Sequence, residues 1–379
     1  MKRLLVIGAG PGGYETAVEA AARGIAVTLF SGGLPGGTCL NEGCIPTKTF
    51  CAAAHAFRPA ADDPAAFMAA LQERKTAVVE QLRTGVMTLL RHPGIEFVPE
   101  MAQFVSAKRV KAGMREWEGD AVIIATGSVS ASLPVSGAQY CLHSSQLLEL
   151  SEIPSRLGVI GGGVIGLEFA SIFAALGAQV TVFEYCKNIL PRFDADISKR
   201  LRQSLVKRGI RIINGACVQK IGSEGSVTYT VGDESATESF SRVLMAVGRI
   251  PFTEGLNLEA AGLEVTKRGI PVDENMRTAV PGIYAIGDVT GGMMLAHTAK
   301  YQGLRALNDF CGRRDSIDFG VTPAVVFTEP ELATVGRSEE ELKAEGIAFQ
   351  VRKAFYRAGG KAVVEGLPEG LCKLLLDGD

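Results

Sequence analysis

In GGTCLNEGCIPTK, residues 36–48, Cys39 and Cys44 stand five positions apart behind a glycine pair, and Lys48 follows the second cysteine. Two thiols this close could be a structural staple, half of a metal site, or a redox pair. Zinc would require further thiols or histidines, and none is grouped nearby. Cys44 leads into Ile45-Pro46, and proline is favoured in a helix's first turn. A helix is therefore expected to start at the second cysteine, where its positive dipole end favours a thiolate. A staple alone explains neither the glycines nor Lys48.

The elements that must position such a pair come from an internal repeat. LLVIGAGPGGYETAVEAAARGIAVTLFS (4–31) aligns without gaps on LGVIGGGVIGLEFASIFAALGAQVTVFE (157–184). Gly8, Gly10 and Gly13 fall on Gly161, Gly163 and Gly166, and Gly24 falls on Gly177. Each G-x-G-x-x-G follows an apolar strand and opens an alanine-rich helix, the context that gives this short pattern its meaning. The first glycine permits a tight turn, the second admits a pyrophosphate to the backbone, and the third packs helix on strand. The helix N-terminus then offers amides and a positive dipole end to the phosphates. Two bound dinucleotides are expected, one per copy. Glu184 closes the second copy, where an acid accepts from adenosine ribose hydroxyls and repels a 2′-phosphate, favouring NAD(H) over NADP(H). Ser31 holds that position in the first copy.

The chain has 379 residues, 47% hydrophobic and 21% charged, with a net charge of −2. That composition describes a globular chain of two or three domains and gives no polyanion-binding surface, so no nucleic-acid function is expected. The apolar run Leu4–Ile7 is too short for a signal peptide, and Glu168 is the only charge in residues 157–183. The latter stretch reads as a buried βαβ unit rather than a membrane span. Eight cysteines without dense spacing fit a cytoplasmic protein.

Elsewhere, 52–90 reads as helical with a break at Asp62-Asp63-Pro64, and short strands are expected around Glu96–Val98, Gln103–Val105 and Arg109–Lys111. Ala121–Ala125 reads as a buried strand ending in ATGS, Val243–Val247 as another, and Ser151–Pro154 as the crossover to the second copy.

The ordered motifs GAGPGGYETA, GGTCLNEGCIPTK, IIATGS, GGGVIGLEFASIFAALGAQVTVFE, AVGRIPFTEGL, RGIPVDENMRT, VPGIYAIGDV, LAHTAKYQG and FTEPELATVGRSEEEL run nearly end to end. In them the chain resembles the flavin-dependent pyridine nucleotide–disulfide oxidoreductases, and among these the dihydrolipoamide dehydrogenases. The resemblance implies an α/β fold with two Rossmann-like domains, for FAD and NAD, and a partial α+β interface domain. It divides the chain into an FAD domain with the cysteines (1–150), an NAD domain (151–271), a segment returning to the FAD domain (272–320) and the start of a dimerisation domain (321–379).

It also implies roles. Cys39 and Cys44 would form the redox-active disulfide, with Cys39 exchanging with the dithiol and Cys44 lying against the flavin. Lys48 would stand near the flavin nitrogen that receives hydride, ion-paired with Glu168. FAD would meet Gly8, Gly10, Gly13, Ser31, Gly37, Thr38, Lys48, Ala102, Thr126, Gly127, Asp288, Leu295 and Ala296. NAD would meet Gly161, Gly163, Val164, Ile165, Gly166, Glu184, Val218, Ala246, Val247, Gly248 and Arg249. The partner would be dihydrolipoamide, or the lipoyl domain of a 2-oxo-acid dehydrogenase complex, and the protein a homodimer once the dimerisation domain is whole.

Two departures stand out. Ser31 replaces the acid that usually clasps the FAD ribose, so weaker FAD binding is expected. The family's proton-accepting histidine and its glutamate come from the partner subunit's C-terminal domain, whereas this sequence ends at KLLLDGD, inside the matching region. Its histidines, His55, His92, His143 and His297, lie in no matching motif. Slow lipoamide turnover and uncertain dimerisation are therefore expected. The alternatives are a relative with another disulfide substrate, an NADH diaphorase, or a catalytically silent FAD-binding component of a complex.

Overall fold

The computed structural model describes residues 1–58 and 61–377. It forms two units: Met1–Pro46, Glu73–Ser130 and Arg249–Phe319 make the first, and Thr47–Gln72, Ala131–Gly248 and the chain from Gly320 make the second.

The chain opens with β1 (Arg3–Ile7), α1 (Pro11–Ala22) and β2 (Ala26–Phe30). The cysteine segment forms α2 (Gly37–Asn41) and α3 (Cys44–Ala54), and α4 (Pro64–Leu89) follows the expected break. Residues 59 and 60 of the stretch read as helical lie outside the described residues. Next come β3 (Ile95–Val98), β4 (Gln103–Ser106), β5 (Arg109–Ala112), β6 (Arg115–Glu118), β7 (Ala121–Ile124) and β8 (Ser128–Ser130).

A short α5 (Ser144–Leu147) leads into β9 (Arg156–Ile160), α6 (Val164–Ala175) and β10 (Gln179–Glu184). Then follow α7 (Ala195–Lys207), β11 (Arg211–Asn214), β12 (Ala216–Ile221), β13 (Ser226–Val231), β14 (Glu234–Ser239) and β15 (Arg242–Met245).

The chain returns to the first unit with β16 (Arg249–Pro251), β17 (Ile283–Ala285) and α8 (Ala296–Phe310). It ends in the second with β18 (Ala324–Val326), β19 (Leu332–Thr334), α9 (Glu339–Ala344), β20 (Gln350–Phe355), α10 (Gly360–Val364) and β21 (Leu371–Leu376).

The repeat is larger than 28 residues. The first unit's parallel sheet has strand order β17-β7-β1-β2-β3, and the second's has β15-β9-β10-β11. In each, the three-stranded antiparallel insert, β4-β5-β6 or β12-β13-β14, sits between the outer strand and the strand that closes the sheet beside the first. Both central strands are buried after their first, exposed residue (Arg3 and Arg156), which is why 4–7 and 157–160 read as unbroken apolar runs. Among the described residues no helix is long and apolar enough to cross a membrane.

The units meet the sequence at other points than 150/151 and 271/272, and packing gives the reason. Leu142 bridges to Leu244, and Leu147 and Leu148 sit in the second unit's core with Leu157 and Val159, so 131–150 belong there. Leu256, Leu258, Ala261, Leu263 and Ile270 fill the first unit's core with Leu5 and Ile7, so 249–271 belong with it.

Candidate active site

The first glycine turn is built by close approach. Gly8 has φ +109°, and a Cβ there would overlap the Ala125 carbonyl oxygen; one on Gly13 would overlap the carbonyl of Gly8 itself. Around Gly10 there is open space where a Cβ would stand. The early amides of α1 have no acceptor within the helix and face this space. The turn therefore fits a dinucleotide pyrophosphate, the group the repeat predicts there.

The cysteine segment starts on this turn. Gly36 donates its N–H to Ala9 O at 2.8 Å, and a Cβ on Gly37 (φ +58°) would come within 2.7 Å of Gly10 Cα. Asn41, which sequence reasoning did not single out, closes the loop by donating to the carbonyls of Pro35 (3.1 Å) and Gly37 (2.9 Å). Thr38 and Cys39 thus ride on α2, and α3 begins at Cys44 as Pro46 predicts. Both cysteines are half-buried. Tyr14 on α1 has its hydroxyl pushed up to about 12 by burial, then by Glu15, and also by the nearby Cys39.

On the same unit, Asp288 Oδ2 accepts from Ser128 Oγ at 2.5 Å. Arg249 donates to Ser128 through Nε to Oγ and through Nη2 to the carbonyl, each at 2.7 Å, and its Nε lies 4.0 Å from Asp288. Arg249, expected at the nicotinamide coenzyme, turns its guanidinium to Ser128 and Asp288 here, because β16 pairs with β8 and carries it there. Neither Ser128 nor Gln302 was singled out from sequence. Gln302 of α8 accepts the Gly287 N–H at 2.6 Å and fixes the turn that presents Asp288. Thr126 donates to Phe252 O at 2.6 Å, Gly127 has φ +75°, and Leu295 and Ala296 form the N-terminus of α8. Ala102, expected to meet FAD, is fully buried in the first unit's core.

The second unit repeats the turn. Gly161 has φ +111° with the Ala246 carbonyl in the place of Ala125, Gly166 abuts Gly161, and the space at Gly163 is open. Val164 and Ile165 open α6 and pack partly against the core. Glu184 is buried; its Oε2 accepts from Gly162 N and its Oε1 from Cys186 N, each at 2.6 Å. Val218 points into the core with Ile160 and Phe183, so its side chain does not face a coenzyme. Gly248 has φ +118° and accepts from Ala131 N at 3.0 Å. This second cradle, with a buried acid at the strand end, fits NAD(H).

Lys48 and Glu168 are brought into one neighbourhood, with a geometry the resemblance did not predict. Lys48 is exposed, and its ammonium lies 4.5 Å from the Phe327 ring centroid. Glu168 Oε1 accepts from Phe327 N at 2.9 Å. Burial pushes the Glu168 carboxyl up to about 7, opposed by the Phe327 amide and then by Lys48. The ion pair buried on both sides is thus corrected to a buried acid and an exposed cation with Phe327 touching each.

His92 accepts the Gly94 N–H at 3.0 Å inside its own turn, and His55 lies 3.6 Å from Glu329.

Residues 2–303 match the family described as pyridine nucleotide-disulphide oxidoreductase, and residues 322–379 match its dimerisation domain. The chain is 39% identical to the dihydrolipoyl dehydrogenase of Chlamydia muridarum, over 98% of this chain and 83% of that protein. It is 36% identical to that of Bacillus subtilis, over 99% and 86%. Among solved structures it resembles the HOCl-induced flavoprotein disulfide reductase RclA of Escherichia coli, with TM-score 0.88 and 32% identity over 100% of this chain and 87% of that one. LpdA of Mycobacterium tuberculosis gives TM-score 0.88 and 28% identity over 100% and 88%. With two glycine cradles for FAD and NAD(H) and a cysteine pair seated on the first, the chain belongs to the pyridine nucleotide–disulfide oxidoreductases, as an NAD-dependent flavoprotein most like dihydrolipoyl dehydrogenase.

Proposed function

We propose that the protein oxidises dihydrolipoamide, free or on the lipoyl domain of a 2-oxo-acid dehydrogenase complex, through a Cys39–Cys44 disulfide. The observation that carries this reading is the seating of the cysteine helices on the first glycine turn, Gly37 against Gly10. A thiolate of the substrate attacks Cys39 Sγ, breaking the disulfide and releasing Cys44 as a thiolate. The second substrate thiolate then displaces Cys39, so the substrate leaves oxidised and both cysteines are reduced. FAD, when bound, supplies the two-electron relay from the cysteines to NAD⁺. Cys44, at the start of α3, is held as a thiolate by the helix end. Lys48, on the same helix, places a cation near the flavin, and Glu168 holds a proton near neutrality. Dimerisation through residues 322–379 follows from their match to the dimerisation domain, and the cysteine usage favours the cytoplasm.

An anaerobic titration of the FAD-loaded protein with NADH, followed by assay with dihydrolipoamide and NAD⁺, tests this. A long-wavelength charge-transfer band is expected in the wild type and is expected to be lost in Cys44→Ser, with dithiol turnover down by at least about a thousandfold. Bleaching without the band would sink the cysteine route and leave an NADH diaphorase. A second reading, another disulfide substrate, is favoured by the likeness to the Escherichia coli flavoprotein disulfide reductase. Higher turnover on a different disulfide than on lipoamide would select it.

A further inference from the structure

Phe327 follows directly on β18 and is gripped from two helices. Its ring faces the Lys48 ammonium from α3, at 4.5 Å. Its N–H donates to Glu168 on α6 at 2.9 Å, and its carbonyl accepts from the Cys51 thiol on α3 at 3.4 Å. The next turn of chain is tied down as well: Glu329 N–H donates to Ser171 of α6 at 3.0 Å, and the Thr328 hydroxyl to Pro330 O at 2.7 Å. One partly buried aromatic residue therefore contacts both members of a pair that opposite charge would otherwise draw together. The ring offers the ammonium an alternative seat, by attraction between a cation and the negative face of a π-system. The amide meanwhile takes up a carboxylate oxygen that the ammonium would otherwise occupy.

We propose that Phe327 is a positioning residue for Lys48: its ring holds the ammonium off Glu168, so that the lysine's charge stays available to the bound flavin. This rests on the proposed role of Lys48 at the flavin. The titratable groups around Glu168 are Lys48 and Cys51, both on α3, while Glu331 acts on Cys51. Cys51 is pushed up to about 12, chiefly by burial, and stays neutral through the working range. Of these groups Glu168 is therefore the one expected to titrate near neutrality, at a pH that depends on its distance from Lys48.

The test uses the FAD-loaded protein with Phe327→Leu, which removes the ring and keeps both backbone groups. Flavin reduction by NADH is expected to slow about tenfold. Its pH inflection near 7, set by Glu168, is expected to move at least half a unit to acid as Lys48 closes on the carboxylate. Phe327→Tyr keeps the aromatic face and is expected to restore both, and Lys48→Met added to Phe327→Leu should slow the reaction no further than Lys48→Met alone. If the leucine variant fails to fold, Phe327→Met carries the same expectation. Wild-type rate and inflection in Phe327→Leu would overturn the proposal, as would equal impairment in the leucine and tyrosine variants. The pH dependence of the flavin potential, taken with a chemical reductant, reads the same displacement without NADH. A displacement there in a protein that NADH does not reduce would defeat the functional reading and leave the positioning role standing.

Discussion

The two glycine units, β1–α1–β2 and β9–α6–β10, are built to the same plan and finished differently. The shared part is steric. Gly8 and Gly161 sit at φ +109° and +111° against the carbonyls of Ala125 and Ala246, and Gly8 N and Gly161 N both reach the end of the paired strand, at Phe30 O and Phe183 O, at 2.8 Å. The differing part lies in what packs on the helix. Glu15 and Glu168 occupy the same position in the alignment. Glu15 makes a half-exposed ion pair with Lys300 of α8 at 3.0 Å, whereas Glu168 is buried against Phe327. Gly12 gives α1 close contact with Ala299 of α8, where α6 has Ile165 in the core. A repeat fixes the turn; its neighbours decide what each copy's side chains can do.

The largest effects should come from the position both copies leave open. A methyl on Gly10 or Gly163 meets no protein atom, and neither glycine has a positive φ, so Gly10→Ala and Gly163→Ala should fold with stability changed by less than about 1 kcal/mol. Each methyl would occupy the pyrophosphate's approach. Loss of one or two charge-assisted hydrogen bonds predicts about a hundredfold weaker FAD for the first and NADH for the second. Titration of each variant with both ligands checks this; loss of the same ligand in both would break the assignment of one dinucleotide per copy.

Much of this plan was legible in the sequence because it rests on glycines whose spacing is fixed by the backbone. The start of α3 at Cys44 was legible for a similar reason, since Pro46 acts locally. The antiparallel inserts that complete the repeat were only partly visible: β4 and β5 showed as short alternations, while β6 and the segment β12–β14 went unread. Their strands pair by hairpin register and share no residues between copies. Ser128, Gln302 and Phe327 lie inside motifs that carry the resemblance, yet nothing local assigned them a role, since each matters only through a group more than a hundred residues away or, for Gln302, a turn from another element. Arg249 was read as a coenzyme contact from the resemblance; strand pairing with β8 turns its guanidinium toward Ser128 and Asp288, a neighbourhood that no local pattern announces.

The matched glutamates allow a sharper comparison. The Glu168 carboxyl is raised from 4.5 to about 7, so the folded state binds the proton more tightly than the unfolded one. Stability from this group is present at low pH, falls as pH rises from about 4.5, and is fully lost above about 7. Glu168→Gln should therefore match wild type near pH 4.5 and exceed it at pH 8 by about 3 kcal/mol. Glu15→Gln removes a half-exposed ion pair and should change stability by less than about 0.5 kcal/mol. Denaturant unfolding of both variants at the two pH values reads the difference. A Glu168→Gln advantage at acid pH as well would mean that the buried carboxyl is not what titrates.

The smallest effect is expected at the strand ends, where the copies differ by one residue. Glu184 draws two backbone amides, Gly162 and Cys186, onto its carboxylate and keeps further lone pairs for ribose hydroxyls. In the first copy the matching amides belong to Ala9 and Gly33, but Ser31 donates its hydroxyl to the Gly33 carbonyl at 2.9 Å and brings no charge. Ser31→Glu supplies the missing acid at a strand end flanked by the exposed Gly32 and Gly33. A charged hydrogen bond in place of a neutral one is worth about 1–2 kcal/mol, so FAD should bind about tenfold tighter. The reciprocal Glu184→Ser should weaken NADH by a similar factor and narrow its preference over NADPH. If FAD affinity stays fixed while NADH weakens, the first copy holds its ribose by other groups and the likeness ends at the pyrophosphate. If both respond in opposite directions, one side chain at the end of the second strand sets ribose affinity in either half of the molecule.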